Sequence, residues 1–81
     1  MVYGYSRRVV SEEGLLEMAE VTFAADAEEL RVIADFLLRM ANEMEAGTFT
    51  ITHKHIGSQV DDWDAEHGKT DIIVSPRYPN R

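Results

Sequence analysis

A single long helix is the sequence feature that most constrains how this chain can fold. Asp26 is a favourable N-cap residue, Glu29 follows it three residues later in a capping-box arrangement, and Gly47 is a natural residue for ending the helix. Between these signals, apolar residues recur at helical spacing and form one stripe. The stripe consists of Leu30, Ile33, Ala34, Leu37, Met40, Ala41 and Met44. The sequence therefore predicts a helix over 27–46 that packs this stripe on a sheet containing Val21, Phe23, Ile51 and Ile73.

Segments of strand-like composition lie on both sides of this helix. The predicted strands cover residues 2–10, 15–25, 48–56 and 71–75. The turn "SEEG" joins the first two, with Gly14 available for a positive φ, and Pro76 ends the fourth before a loose tail over 76–81. Because the connections to the helix are short, we expect the second and third strands to run parallel through a right-handed crossover. The predicted fold is α+β, a four-stranded mixed sheet (β-β-α-β-β) with one helix on one face.

The second strand has an irregular apolar pattern. Its four large apolar residues are Leu16, Met18, Val21 and Phe23. The first two have even numbers and the last two have odd numbers, so a regular strand would turn them to opposite faces. A bulge near Ala19 and Glu20 would bring all four to one face.

Composition excludes several classes of protein. The length of 81 residues suffices for one domain, covering 1–81, and is too short for two. The absence of cysteine excludes disulfides, thiol catalysis and zinc–thiolate sites. A net charge of −7 argues against binding to nucleic acid or to an anionic membrane, both of which need a basic surface. No apolar run is long enough to span a membrane, and the N-terminus lacks a signal-peptide pattern, so we expect a cytoplasmic protein.

Two histidines two residues apart are the first candidate site. On a strand, His53 and His55 would share one face with Phe49 and Ile51. This row favours a structural or partner-contacting role. If a metal were bound, its ligands would be His53, His55 and His67, and nearby acids would complete the site. We predict that no metal and no cofactor binds natively.

An acidic loop is the second candidate site. It places the only tryptophan among acids, in the order Asp61, Asp62, Trp63, Asp64 and Glu66. An aromatic anchor surrounded by charge of one sign is typical of a contact with a basic partner. The alternative is that Trp63 folds back over the sheet and the acids are solvated. Catalysis is not predicted, because Ser58 near His55 has no oxyanion-hole or nucleophile-turn pattern and the glycines form no phosphate loop.

Three phrases of the sequence resemble the immunity protein 32 family. They are "EVTFAADAEELRVIADFLLRMANEME", the strand with "HKHI", and the late "DIIV", and the resemblance covers roughly 15–75. The resemblance implies a small α+β protein of a bacterial polymorphic toxin system. Such a protein is not an enzyme; it binds a cognate toxin and neutralises it. The resemblance supplies no catalytic residues, and residues 1–14 lie outside it.

Two other functions remain open from the residues alone. The three histidines are compatible with a small metal-binding or ligand-binding module. The uncovered face of the predicted sheet is compatible with a homodimeric structural module. If the partner is a toxin, as the resemblance implies, the net charge of −7 favours a toxin with a basic surface. The acidic loop and the histidine pair are the predicted contact residues.

Overall fold

The computed structural model of the protein describes residues 1–63 and 70–77, and it is α+β as predicted. The described elements are β1 (Val2–Val9), β2 (Leu16–Phe23), α1 (Ala27–Ala46), β3 (Lys54–His55), a 3₁₀ turn (Ile56–Ser58) and β4 (Ile73–Val74). In this part of the chain the strands form two antiparallel pairs, β1 with β2 and β3 with β4. The predicted single four-stranded sheet and its parallel crossover are therefore wrong.

The helix begins and ends where its local signals predict. The Asp26 carboxylate accepts a hydrogen bond of 2.8 Å from the backbone N–H of Glu29, which satisfies one free donor of the first turn. At the other end, Gly47 adopts the left-handed conformation (φ 78°), and its N–H donates to the carbonyls of Glu43 and Met44. The predicted range 27–46 is confirmed.

The β1–β2 hairpin contains the predicted bulge. Tyr5 pairs with Glu20 and Ser6 pairs with Met18, so Ala19 is the extra residue on β2. A second irregularity on β1 follows, between Ser6 and Arg8. The register places Leu16, Met18, Val21 and Phe23 on one face. Gly14 in the connecting turn has a φ of 92°, also as predicted.

This apolar face of the hairpin is not part of the core. Its four side chains are between 38% and 51% exposed, from Phe23 to Val21. No hairpin residue belongs to the core cluster or packs against it. The predicted packing of Val21 and Phe23 beneath the helix is therefore wrong.

Gly4 permits the close approach of the two strands beside the bulge. A Cβ atom at this position would lie 2.1 Å from the backbone oxygen of Glu20, which is far inside van der Waals contact. We expect Gly4→Ala to destabilise the hairpin by about 1–3 kcal/mol, the usual cost of overpacking. Amide hydrogen exchange in β1 should accelerate, while exchange in the middle of α1 stays unchanged. Gly57→Ala is the matched control, because a Cβ there meets nothing within 4 Å; equal effects of the two changes would contradict this account.

The second sheet is much shorter than predicted. Residues 48–53 are not in a strand, although they alternate like one, and β3 contains only Lys54 and His55. These two pair with Val74 and Ile73, respectively. Alternation alone does not make a strand, because each strand needs a partner for its backbone hydrogen bonds, and β4 offers two residues. Pro76, predicted to begin the loose tail, is buried, and residues 78–81 lie outside the described residues.

The core lies between one stripe of α1 and the segment that follows β3. Its buried members are Ile33, Phe36, Met40, Ile56 and Trp63, with Val32, Phe49, Val60, Ile72 and Val74 packed against them.

The predicted apolar stripe of α1 is only partly buried. The prediction is correct at Ile33 and Met40. It is wrong at the exposed residues Leu30, Leu37, Ala41 and Met44, and Ala34 is exposed as well. Leu37 itself is 42% exposed. Two residues predicted in the sheet beneath it, Ile51 and Ile73, are exposed as well. The buried stripe is rotated about the helix axis relative to the prediction, and it includes Phe36, which the prediction omits.

Candidate functional site

The histidine pair lies at the edge formed by β3 and β4. The ring centroids of His53 and His55 are 5.0 Å apart, with an interplanar angle of 64°. The predicted side-by-side placement is confirmed, whereas the strand that was to align them with Phe49 and Ile51 is absent from this stretch of the described chain. His53 is exposed and His55 is half-buried, so neither ring is a core residue.

Asp71 holds the imidazole of His55. The Nδ1 atom of His55 lies 2.5 Å from Oδ2 of Asp71, and the two side chains are 44% and 49% exposed. The β3–β4 register produces this contact, because His55 pairs with Ile73 and Asp71 lies two residues before it. The hydroxyl of Ser58 donates to the backbone carbonyl of His55 over 2.8 Å and fixes the chain behind the ring. Sequence reasoning missed Asp71, although an acid at the first position of a predicted strand was a visible signal.

The described residues do not assemble a metal site around these rings. No group of three or more potential ligands occurs within 1–63 and 70–77. The ring Nδ1 of His53 is instead 3.0 Å from the hydroxyl of Thr52. His67, the third predicted ligand, lies outside the described residues, so the absence of a native metal stays a prediction.

The tryptophan of the predicted acidic loop is buried. Trp63 is 3% exposed in the core, and its indole N–H donates to the carbonyl of Thr70 over 2.8 Å. The expectation of a surface-exposed Trp63 is therefore wrong, and the alternative of an inward-folded side chain agrees with the structure. Asp61 and Asp62 precede it and are exposed, with Asp62 in the left-handed region at a φ of 57°. Asp64 and Glu66 lie outside the described residues.

The charged residues of α1 do not form the ion pairs with one another that their spacing predicts. The sequence places Arg31, Asp35, Arg39 and Glu43 at i,i+4 spacing with alternating sign, which predicts mutual ion pairs. In the part of the chain that the structure describes, Arg31, Asp35 and Arg39 form no ion pair, and Glu43 pairs with Lys54 at 2.5 Å instead. The Lys54 ammonium also lies 5.2 Å from the centre of the Phe49 ring. This half-buried pair connects α1 to β3.

The described residues enclose no cleft for a small ligand. None of the helices that the structure describes is both long and apolar enough to cross a bilayer. The exposed groups available on the histidine edge and the loop are His53, Asp61 and Asp62, with His55 and Asp71 partly exposed beside them.

Comparison with known proteins gives a match to a protein family. The model of the immunity protein 32 family matches residues 20–75, which is more than half of the chain. The match begins within β2, includes the whole of α1, and ends just after β4. No curated protein and no solved structure matches the chain significantly.

Proposed function

This chain belongs to the immunity protein 32 family, and from that membership we propose that it binds a cognate bacterial toxin and neutralises it by direct contact. The observation that carries the proposal is the family match over residues 20–75. Protection by this route requires a complementary surface and no catalytic step by the immunity protein. We place this activity in the cytoplasm, where the toxin would otherwise act on the cell that makes it.

The charge of the chain favours a partner with a basic surface. Fifteen acidic residues against eight basic residues give a net charge of −7. Complementary charge accelerates the encounter of two proteins and opposes binding to wrong partners, and the effect weakens with salt. If the toxin acts on nucleic acid, we expect its substrate site to be basic, and an acidic protein is complementary to such a site.

We place the contact on the acids next to Trp63 and on the histidine edge. Asp61 and Asp62 are exposed and form no ion pair within the described chain. Because Trp63 follows them directly and is buried, the chain at Asp61 and Asp62 is anchored before binding, which lowers the entropy lost on association. The role of Trp63 in this interface is to position the two acids. His53 and His55, with Asp64 and Glu66, complete the proposed contact set.

The experiment measures the affinity of the purified chain for the product of the neighbouring toxin gene. The test variant is the double substitution Asp61→Asn with Asp62→Asn, which removes two charges and keeps side-chain size. Asparagine also tolerates the positive φ at position 62. We expect at least a tenfold loss of affinity, about 1.4 kcal/mol, with much of it in the association rate.

The matched control removes two charges elsewhere. Glu12 and Glu13 are exposed in the hairpin turn, so Glu12→Gln with Glu13→Gln changes the net charge by the same amount. We expect this variant to bind within about twofold of the parent at physiological salt, because exposed charges beyond a Debye length are screened. Equal losses in the two variants would show that only net charge matters. A parent chain that binds no neighbouring toxin product and gives no protection would refute the proposed function itself.

A further inference from the structure

Helix α1 carries a second apolar stripe that residues 1–63 and 70–77 leave uncovered. We name it the outer stripe; its members are Ala27, Leu30, Ala34, Leu37, Ala41 and Met44, and all six are exposed. At about 100° per residue, the outer stripe is centred roughly a quarter turn from the buried stripe of Ile33, Phe36 and Met40. A monomeric surface helix is usually polar on the side away from its core, so a second stripe needs a partner.

The spacing of the outer stripe is that of a helix–helix seam. Successive members are three and four residues apart in strict alternation, which is the pattern that keeps a seam facing a second helix. Their sizes alternate as well, since each alanine is followed by a leucine or methionine. A row of alternating small and large side chains is complementary to itself when it is reversed. We propose that the outer stripe is covered by the same stripe of a second copy of this chain, with the two helices antiparallel.

The alternation determines the register of the pair. If the two-fold axis passes between residues 35 and 36, then Leu30 of one copy faces Ala41 of the other, and Ala34 faces Leu37. The end positions follow the same rule, with Ala27 facing Met44. Every large side chain then meets a small one, so the helices approach closely and the contact is isologous.

The charges beside the outer stripe favour the same arrangement. Arg31, Leu38 and Glu45 lie along its edge on the side away from the core, seven residues apart from one another. Arg31 and Glu45 form no ion pair within the described chain, and Leu38 is 61% exposed. An antiparallel pair brings Arg31 of one copy towards Glu45 of the other and the two Leu38 side chains towards each other. A parallel pair would place this edge on opposite sides of the seam in the two copies, so Arg31 of one copy could not reach Glu45 of the other. This complementarity within one sequence favours a second copy over an unrelated partner.

The size of the contact predicts a dimer that dissociates on dilution. The outer stripe extends over about 26 Å of helix, and a helix is about 10 Å wide. Such a strip is smaller than the area of about 800 Å² per partner that a standard stable interface buries. The equilibrium is therefore best followed at micromolar to sub-millimolar concentration.

Sedimentation equilibrium of the purified chain tests the dimer without any toxin, so its outcome is independent of the proposed function. We expect the mass to rise with concentration from 9.2 kDa towards twice that value. Leu37→Glu, at the centre of the outer stripe, should remain monomeric with an unchanged helical circular dichroism spectrum. The matched control is Leu15→Glu, the same change at an exposed leucine outside the stripe, and it should dimerise like the parent.

Cysteine cross-linking tests the register of the two helices. Because the chain has no native cysteine, only the introduced cysteines can form a disulfide. An equal mixture of Leu30→Cys and Ala41→Cys should form a disulfide-linked heterodimer on mild oxidation. Neither variant alone should do so, because two copies of residue 30 would lie about 16 Å apart along the helix axis, too far for a disulfide. Cross-linking of either variant with itself would overturn the antiparallel arrangement. A parent chain whose mass stays at 9.2 kDa at every concentration would overturn the dimer. In that case, loss of toxin binding by Leu37→Glu would show that the outer stripe contacts the toxin instead of a second copy.

Discussion

Replacing Phe36 with alanine should lower the free energy of unfolding by about 3–5 kcal/mol. Phe36 is 1% exposed at the centre of the buried stripe of α1, between Ile33 and Met40. Truncating a buried phenylalanine removes its transfer free energy and leaves a cavity that the surrounding side chains fill only in part. A chain of 81 residues has a total stability of about 4–12 kcal/mol at the usual value per residue. The loss is therefore a large fraction of the whole.

Urea unfolding followed by helical circular dichroism measures this effect. The control is Leu38→Ala, a similar truncation two residues later on the exposed side of α1, which should cost less than about 0.5 kcal/mol. The comparison is made in dilute solution, where the proposed dimer is dissociated. If the two substitutions cost the same, the buried stripe has been assigned to the wrong side of the helix.

Replacing Trp63 with alanine should have an effect of similar size, about 3–5 kcal/mol. Trp63 joins the post-β3 segment to the core and bridges to the carbonyl of Thr70. Trp63→Phe keeps most of the apolar contact and removes the indole N–H, so it should cost about 1–2 kcal/mol, close to the value of one hydrogen bond. Because Trp63 is the only tryptophan, its fluorescence in the parent should move to longer wavelength on unfolding, together with the loss of helix.

The same two variants separate a positioning role from a contact role for Trp63. If the buried indole only positions Asp61 and Asp62, then folded Trp63→Phe should bind the toxin nearly as tightly as the parent. Loss of binding by a variant that is fully folded would mean that the indole leaves the core and contacts the toxin directly. Such a result would contradict the buried position of Trp63 as the bound conformation.

Local signals explain why the helix and the hairpin were predictable. Asp26 and Gly47 act within one turn of the backbone, through a side-chain acceptor and a left-handed φ, so the helix ends follow from neighbouring residues alone. The bulge at Ala19 was likewise readable, because a change in the parity of apolar residues along β2 requires an extra residue to keep one face. The adjacency of His53 and His55 was also predictable from neighbouring residues, because only one residue separates them.

The tertiary structure alone decided which side of α1 is buried. Apolar residues occupy more than half of the helix circumference, and both the outer stripe and the stripe containing Phe36 have helical spacing. The choice between them depends on Ile56 and Trp63, which come from a distant part of the chain. The lengths of β3 and β4 and the contact between His55 and Asp71 depend on a pairing between segments 16 or more residues apart. By itself, the sequence determined the elements whose hydrogen bonds close within a few residues; burial, sheet pairing and the inward position of Trp63 were decided by packing between distant segments.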